Sequence, residues 1–158
     1  MTTTATHPVT AEPDTRLLPV PGVVRDIGLL LARVLLGAVL IVHGGQKLFS
    51  NGVEGTGAFF ESMGVPAAQA AAAFAGTVEL IGGILLVLGL LTQVVAVFVV
   101  VVMAGAYLYV HQAAGIYAAD GGWELVAVIG LAVVVFGLVG PGRYSLDALI
   151  VGRRTATA

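Results

Sequence analysis

The chain contains no cysteine. By itself it therefore cannot carry out thiol–disulfide exchange, hold an iron–sulfur cluster through thiolates or build a thiolate zinc site. Charge is nearly as scarce: 10% of the 158 residues are Asp, Glu, Lys or Arg, against roughly 25% in an ordinary soluble domain. So few ionisable groups cannot coat a water-facing globule of this size, so most of the surface must face lipid. Basic residues do not dominate, since the formal net charge is −2. A polyanion-binding face is thereby excluded, and nucleic acid with it. A glycine-rich phosphate loop, a catalytic serine motif and a metalloprotease helix are also missing.

What the sequence has in abundance is apolar length. Hydrophobic residues make up 58% of the chain, and the mean hydropathy is +1.03. The expected fold class is all-α, a transmembrane four-helix bundle. Its spans run over about Ile27–Phe49, Ala67–Leu91, Val94–Val110 and Trp123–Val139, each near the ~20 residues that cross about 30 Å of hydrocarbon. Pro66 suits a first helical turn, where a missing N–H costs nothing. Gly89 and the combined length of the second and third runs favour a tight hairpin over one very long helix.

Residues 1–25 are rich in Thr and Pro, with Pro8, Pro13, Pro19 and Pro21, and read as a disordered cytoplasmic tail. They hold no short apolar run with a small-residue cleavage site, so the first span is expected to act as its own targeting signal. The membrane domain is placed at residues 26–150 and a second cytoplasmic tail at 151–158. Arg16 and Arg25 precede the first span, and Arg143, Arg153 and Arg154 follow the last. The intervening loops at 50–65 and 112–122 hold Glu54, Glu61 and Asp120 and no Lys or Arg. The positive-inside rule then places both termini in the cytoplasm, in a multi-pass protein of the cell membrane. After the Gly140-Pro141-Gly142 turn, Ser145 can cap a short helix along the inner membrane face, with Leu146, Leu149 and Ile150 on its apolar side.

Ionisable groups inside spans cost roughly 2.5–3.5 kcal/mol each at the bilayer centre, so they are the informative residues. From a rise of about 1.5 Å per residue, Arg33 lies roughly 9 Å above the inner boundary, Glu79 roughly 18 Å and His43 roughly 24 Å. Lys47, His111 and Glu124 fall near the outer boundary. Helical side chains lean toward their own N-terminus, so His43 on the rising first helix converges with Glu79 on the descending second while Arg33 diverges from it, and Lys47 could sit between Glu79 and Glu124. One polar cluster of His43, Lys47, Glu79 and Glu124 is expected in the outer half. Gly37 and Gly44 on the first helix, and Gly76 and Gly83 on the second, would let the two backbones approach closely.

Two readings of the cluster compete: a purely structural ion pair that fixes helix register, and a site for a polar headgroup such as a quinone or for proton transfer. Met103, Tyr107 and His111 form a stripe that could line a quinone ring; the competing reading is an interfacial aromatic belt with Tyr117 and Trp123. Arg33 is expected to snorkel to the inner-leaflet phosphates as a lipid anchor. A haem held by His43 and His111 is disfavoured because Lys47 would crowd its edge. No metal is expected from His43, Glu79 and Glu124, since Lys47 competes for the carboxylates.

The ordered set of Arg33 to Gly37, His43-Gly44 with Lys47, Glu79 with Gly82-Gly83 and Gly89, Glu124, and Gly140-Pro141-Gly142 with Ser145 and Asp147 resembles the DoxX family of small bacterial membrane proteins. The likeness spans about Asp26 to Ile150. It implies a four-helix membrane protein with cytoplasmic termini, linked to respiratory or redox membranes. The family name comes from a small subunit of a thiosulfate:quinone oxidoreductase, so the resemblance implies a redox-enzyme partner and a quinone as the cofactor to test. If the chain serves sulfur chemistry, a partner must supply the sulfur site. A small proton-coupled transporter titrating Glu79, and a membrane scaffold with no chemistry, remain as alternatives. Self-association into a homo-oligomer is left open.

Overall fold

The structure is a computed structural model that describes residues 20–156. Of the tail expected over residues 1–25, residues 1–19, with Arg16, lie outside the described residues, and residues 22–25 belong to the first helix. All regular structure within them is helical. Helix α1 spans Gly22–Gly45 and continues through a π-helical segment, Gln46–Ser50. Helix α2 is Gly52–Ser62, α3 is Ala68–Leu88, and α4 is Thr92–Ala106. Helix α4 runs on through a π-helical turn, Tyr107–His111, and a short 3₁₀ turn, Gln112–Ala114. Helices α5, Glu124–Val139, and α6, Leu146–Ala156, complete the chain.

Three of these helical stretches are long and apolar enough to cross a membrane: Gly22–Ser50, Ala68–Leu88 and Thr92–Ala114. The fourth apolar helix, α5, is shorter at 16 residues, or about 24 Å at the α-helical rise. The protein is an all-α membrane bundle. Its outer surface is apolar nearly throughout, with Leu35, Val42, Leu131 and Leu138 all exposed. Inside, Leu40, Leu86, Val99 and Val133 are buried and anchor one continuous core.

Helix α1 packs chiefly on α3, and α4 chiefly on α5, while α2 lies against α3. Glycine permits the α1–α3 approach. A Cβ on Gly37 would come 2.7 Å from the Gly83 carbonyl oxygen, and one on Gly44 equally close to that of Gly76. Such a contact is between backbones, which cannot swing away as side chains do.

The expected spans match these helices closely, but three features depart from expectation. Helix α1 begins at Gly22, about a turn early, and α6 reaches Ala156, through most of the segment read as a tail. The stretch read as a loop at 50–65 contains helix α2. It closes with the Val65 N–H on the Phe60 carbonyl (3.0 Å) and the Gly64 N–H on the Glu61 carbonyl (3.0 Å), a pair of bonds that needs a left-handed residue and finds one in Gly64.

The α3–α4 hairpin uses the same device. The Leu90 N–H donates to Leu85 O (2.9 Å) and the Gly89 N–H to Leu86 O (3.1 Å). Leu91 follows with a φ of 53°, an unfavourable value for a non-glycine residue. It is held there by α6: the Asp147 carboxylate accepts from the Leu91 N–H (2.9 Å) and the Thr92 N–H (3.0 Å). A side chain from a different helix thus caps the N-terminus of α4. Ser145 begins α6 as expected, accepting from the Ala148 N–H at 3.2 Å and donating to Gly142 O at 2.6 Å. Leu146, Leu149 and Ile150 stay exposed.

Candidate functional site

The bundle has two unlike ends. The terminal end carries the start of α1, the α3–α4 hairpin and α6; the distal end carries α2 and the α4–α5 connection. In the distal half, α1, α2, α3, α4 and α5 surround a cavity of about 510 Å³. Most of its wall is apolar, including Leu40, Phe60, Phe74, Met103 and Ile129.

On that wall Lys47 of the α1 π segment meets Glu79 of α3. The Lys47 ammonium donates to the Glu79 carboxylate at 2.6 Å. The Glu79 side chain is only 4% exposed and that of Lys47 21%. The pair is therefore a desolvated one, in which removal of either partner strands a charge. The π segment matters to its placement. The Asn51 N–H bonds Gln46 O at 2.9 Å, an i to i+5 bond, and this wider turn re-aims the side chains that follow. Thr56 of α2 clasps the same segment from above, its hydroxyl donating to the Lys47 carbonyl at 2.9 Å while its side chain is buried.

His43 also lines the cavity, yet it does not bond Glu79. Its Nδ1 donates to the carbonyl of Val39 on its own helix, at 2.8 Å. The inward lean assumed from the helix direction carries the ring along α1 instead of across to α3. His111 lines the cavity as well, its Nδ1 donating to Gly121 O at 2.7 Å. Glu124 does not join the cluster. It folds back on its own loop, accepting from the Ala118 N–H at 2.8 Å. An acid at the first turn of a helix finds unsatisfied amides close by, and here those lie in the preceding connection. The set of His43, Glu79 and Glu124 considered for a metal is thus not assembled.

The expected ring-lining stripe divides. Met103 is buried on the cavity wall. Tyr107 turns away from it and stacks edge-on against Trp123, centroids 6.1 Å apart. Tyr109 takes the wall position instead. The cause is the π turn at Tyr107–His111, which breaks the i, i+4 alignment that would have put Tyr107 and His111 on one face.

Arg33 does not reach toward lipid phosphates. It is buried at 1% exposure; its Nη1 donates to Pro141 O (2.9 Å) and its Nη2 to Tyr144 O (2.7 Å). Backbone carbonyls held in place by the Gly-Pro-Gly turn outcompete a distant headgroup. Asp26 is similarly buried, 3.7 Å from Arg25 and 4.0 Å from Arg143. With Asp147, these residues lash α1, the α3–α4 hairpin and α6 together at the terminal end.

Thr56, Phe59 and Phe60 went unanticipated because α2 was read as a loop. The stop signal Gly64-Val65-Pro66, with Phe59 and Met63 spaced i, i+4, carried the clue.

A DoxX family model matches residues 28–112, just over half of the chain. The chain belongs to the DoxX family. The matched segment includes Arg33, His43, Lys47, Glu79 and His111 and stops before Glu124. This DoxX protein is 36% identical over 136 residues to an uncharacterized membrane protein of Mycobacterium tuberculosis, covering 78% of this chain and 82% of the relative. It is 42% identical over 85 residues to a Bacillus subtilis protein named "Putative oxidoreductase CatD", covering 54% of this chain and 60% of that one. It is 30% identical over 132 residues to the inner membrane protein YphA of Escherichia coli, covering 80% and 92% respectively. No solved structure gives a significant match.

Proposed function

We propose that this DoxX-family protein is a small membrane subunit of an oxidoreductase complex, and that its distal cavity holds the headgroup of a lipid-soluble quinone. The observation that carries the reading is the Lys47–Glu79 pair, at 2.6 Å, on the wall of a mostly apolar cavity of about 510 Å³. Small-molecule sites have this composition: an apolar lining for bulk, a few fixed polar groups for orientation, and a volume of roughly 300–1,000 Å³. A ring would lie against Phe60, Phe74 and Met103. Lys47 keeps further N–H donors beyond the one given to Glu79, and a quinone carbonyl is an acceptor. Glu79 holds that ammonium in place on the cavity wall.

The chain lacks thiols, so a partner enzyme supplies the electrons in this reading. The name of the Bacillus subtilis relative supports an oxidoreductase setting. The basic residues Arg25 and Arg143 at the terminal end support, through the positive-inside rule, a cytoplasmic location for that end in a cell-membrane protein. The quinone site then lies in the outer half of the bilayer.

The test is a titration of the purified protein in lipid nanodiscs with decylubiquinone. Saturable binding is expected, weakened at least roughly tenfold in Lys47→Met, the loss of about one charge-assisted hydrogen bond. Absence of saturable binding, or an unchanged affinity in Lys47→Met, contradicts the proposal. Isolation from native membranes should in addition bring down a redox enzyme.

A further inference from the structure

The two imidazoles on the cavity wall have a fixed tautomer. Among the described residues, the hydrogen-bond partner of each Nδ1, Val39 O for His43 and Gly121 O for His111, is a carbonyl, which only accepts. Each Nδ1 must therefore carry the proton, and in the neutral ring each Nε2 is left as a lone pair. Among the described residues nothing hydrogen-bonds either Nε2. Thr56 is in the same condition: its single hydroxyl hydrogen is given to Lys47 O, so toward the cavity it can only accept. The ionised Glu79 carboxylate accepts as well. Against these four acceptors stands one obligate donor, Lys47, with a hydrogen already given to Glu79. The remaining polar wall groups, Gln46, Asn51 and Tyr109, each both donate and accept.

We infer that the cavity selects the reduced ligand: it binds a hydroquinone, whose two hydroxyls donate, in preference to the quinone, whose two carbonyls only accept. The inference rests on the quinone reading above and sharpens it. A quinone beside His43 and His111 sets lone pair against lone pair and leaves both Nε2 atoms without partners. A hydroquinone pairs its hydroxyls with the two imidazoles, which come from α1 and from the π turn after α4 and both line the cavity. A site of this kind retains product after a partner reduces the quinone, or captures hydroquinone from the bilayer for a partner to oxidise. In either case it stabilises the reduced form.

The experiment measures two affinities on one protein. Nanodisc-embedded protein is titrated anaerobically with decylubiquinone and with its dithionite-reduced hydroquinone, by calorimetry. The hydroquinone is expected to bind at least roughly tenfold more tightly, the worth of about two net hydrogen bonds. For this two-electron couple, tenfold selectivity raises the potential of the bound pair by about 30 mV. His43→Leu and His111→Leu should each weaken hydroquinone binding and reduce the selectivity, with helical content by circular dichroism showing that the variants are folded. Equal affinities, or selectivity that survives both substitutions, overturn the inference while leaving the quinone site standing. Binding of neither form overturns both proposals.

Discussion

The guanidinium of Arg33 occupies the space that a side chain at position 89 would need. A Cβ built on Gly89 would collide with the Arg33 Nη1 and lie 2.5 Å from the Ser145 Cβ. Gly89 also has a φ of +65°. One residue thus meets two demands, a left-handed turn between α3 and α4 and a recess for a buried cation. Gly89→Ala is expected to cost about 2–4 kcal/mol, from the left-handed backbone and from overpacking together. Unfolding in a graded detergent series measures it. A loss below about 0.5 kcal/mol, the size of an ordinary surface substitution, would show that the recess is not needed.

Asp147 caps a helix that is remote in sequence, through both carboxylate oxygens. Asp147→Ala should lower stability by about 1–2 kcal/mol, the upper range for loss of a cap. The effect should be local. Amide exchange at Leu91 and Thr92 is expected to accelerate first, and Asp147→Asn, which keeps one acceptor, should fall between. Unchanged protection of those amides counts against the cap.

The energetics of Lys47 and Glu79 separate a ligand site from a register pin. Lys47→Met or Glu79→Leu alone should cost about 3–5 kcal/mol, because each strands a buried charge. The double substitution should restore most of that stability, as apolar replacement of buried pairs often does. On the proposed function, the restored protein is folded yet does not bind decylubiquinone. A restored protein that still binds makes the pair purely structural.

Glycines within one helix should respond in opposite ways. Gly44→Ala pushes a methyl into the α3 backbone at Gly76 and Leu80, whereas a Cβ on Gly28 meets nothing within 4 Å. The first is expected to destabilise by about 1–3 kcal/mol. The second should be neutral, or stabilising by up to about 1 kcal/mol from helix propensity. Similar losses at both positions would mean that close approach of α1 and α3 is not what holds the bundle.

Much of the architecture was legible because lipid imposes it. Span lengths follow from bilayer thickness, and Gly89 marks the hairpin by a simple conformational rule. The lean of helical side chains and estimated depth put Glu79 near Lys47 in the outer half, although the partner they single out is His43, which bonds Val39 O instead. Where that reasoning failed, local geometry departed from the regular α-helix. The π turn at Tyr107–His111 moved Tyr107 off the cavity and Tyr109 onto it, and nothing in residue spacing announces such a turn. Arg33 was misplaced for a different reason. Its partners are backbone carbonyls more than a hundred residues away, and carbonyls have no signature in sequence. Glu124 shows the limit of depth as a guide, since its level was suitable while an amide of its own loop lay nearer.

The central claim is that the distal cavity, and not the lipid-facing surface, holds a quinone headgroup. An azido-quinone crosslinked in native membranes and mapped by peptide mass spectrometry tests it most directly. The account predicts label on the cavity wall, at residues such as Phe60, Met103 or Tyr109, abolished by excess decylubiquinone. Label confined to the apolar groove between α3 and α4, around Ile81 and Phe98, or spread evenly over the outer helix faces, would contradict it.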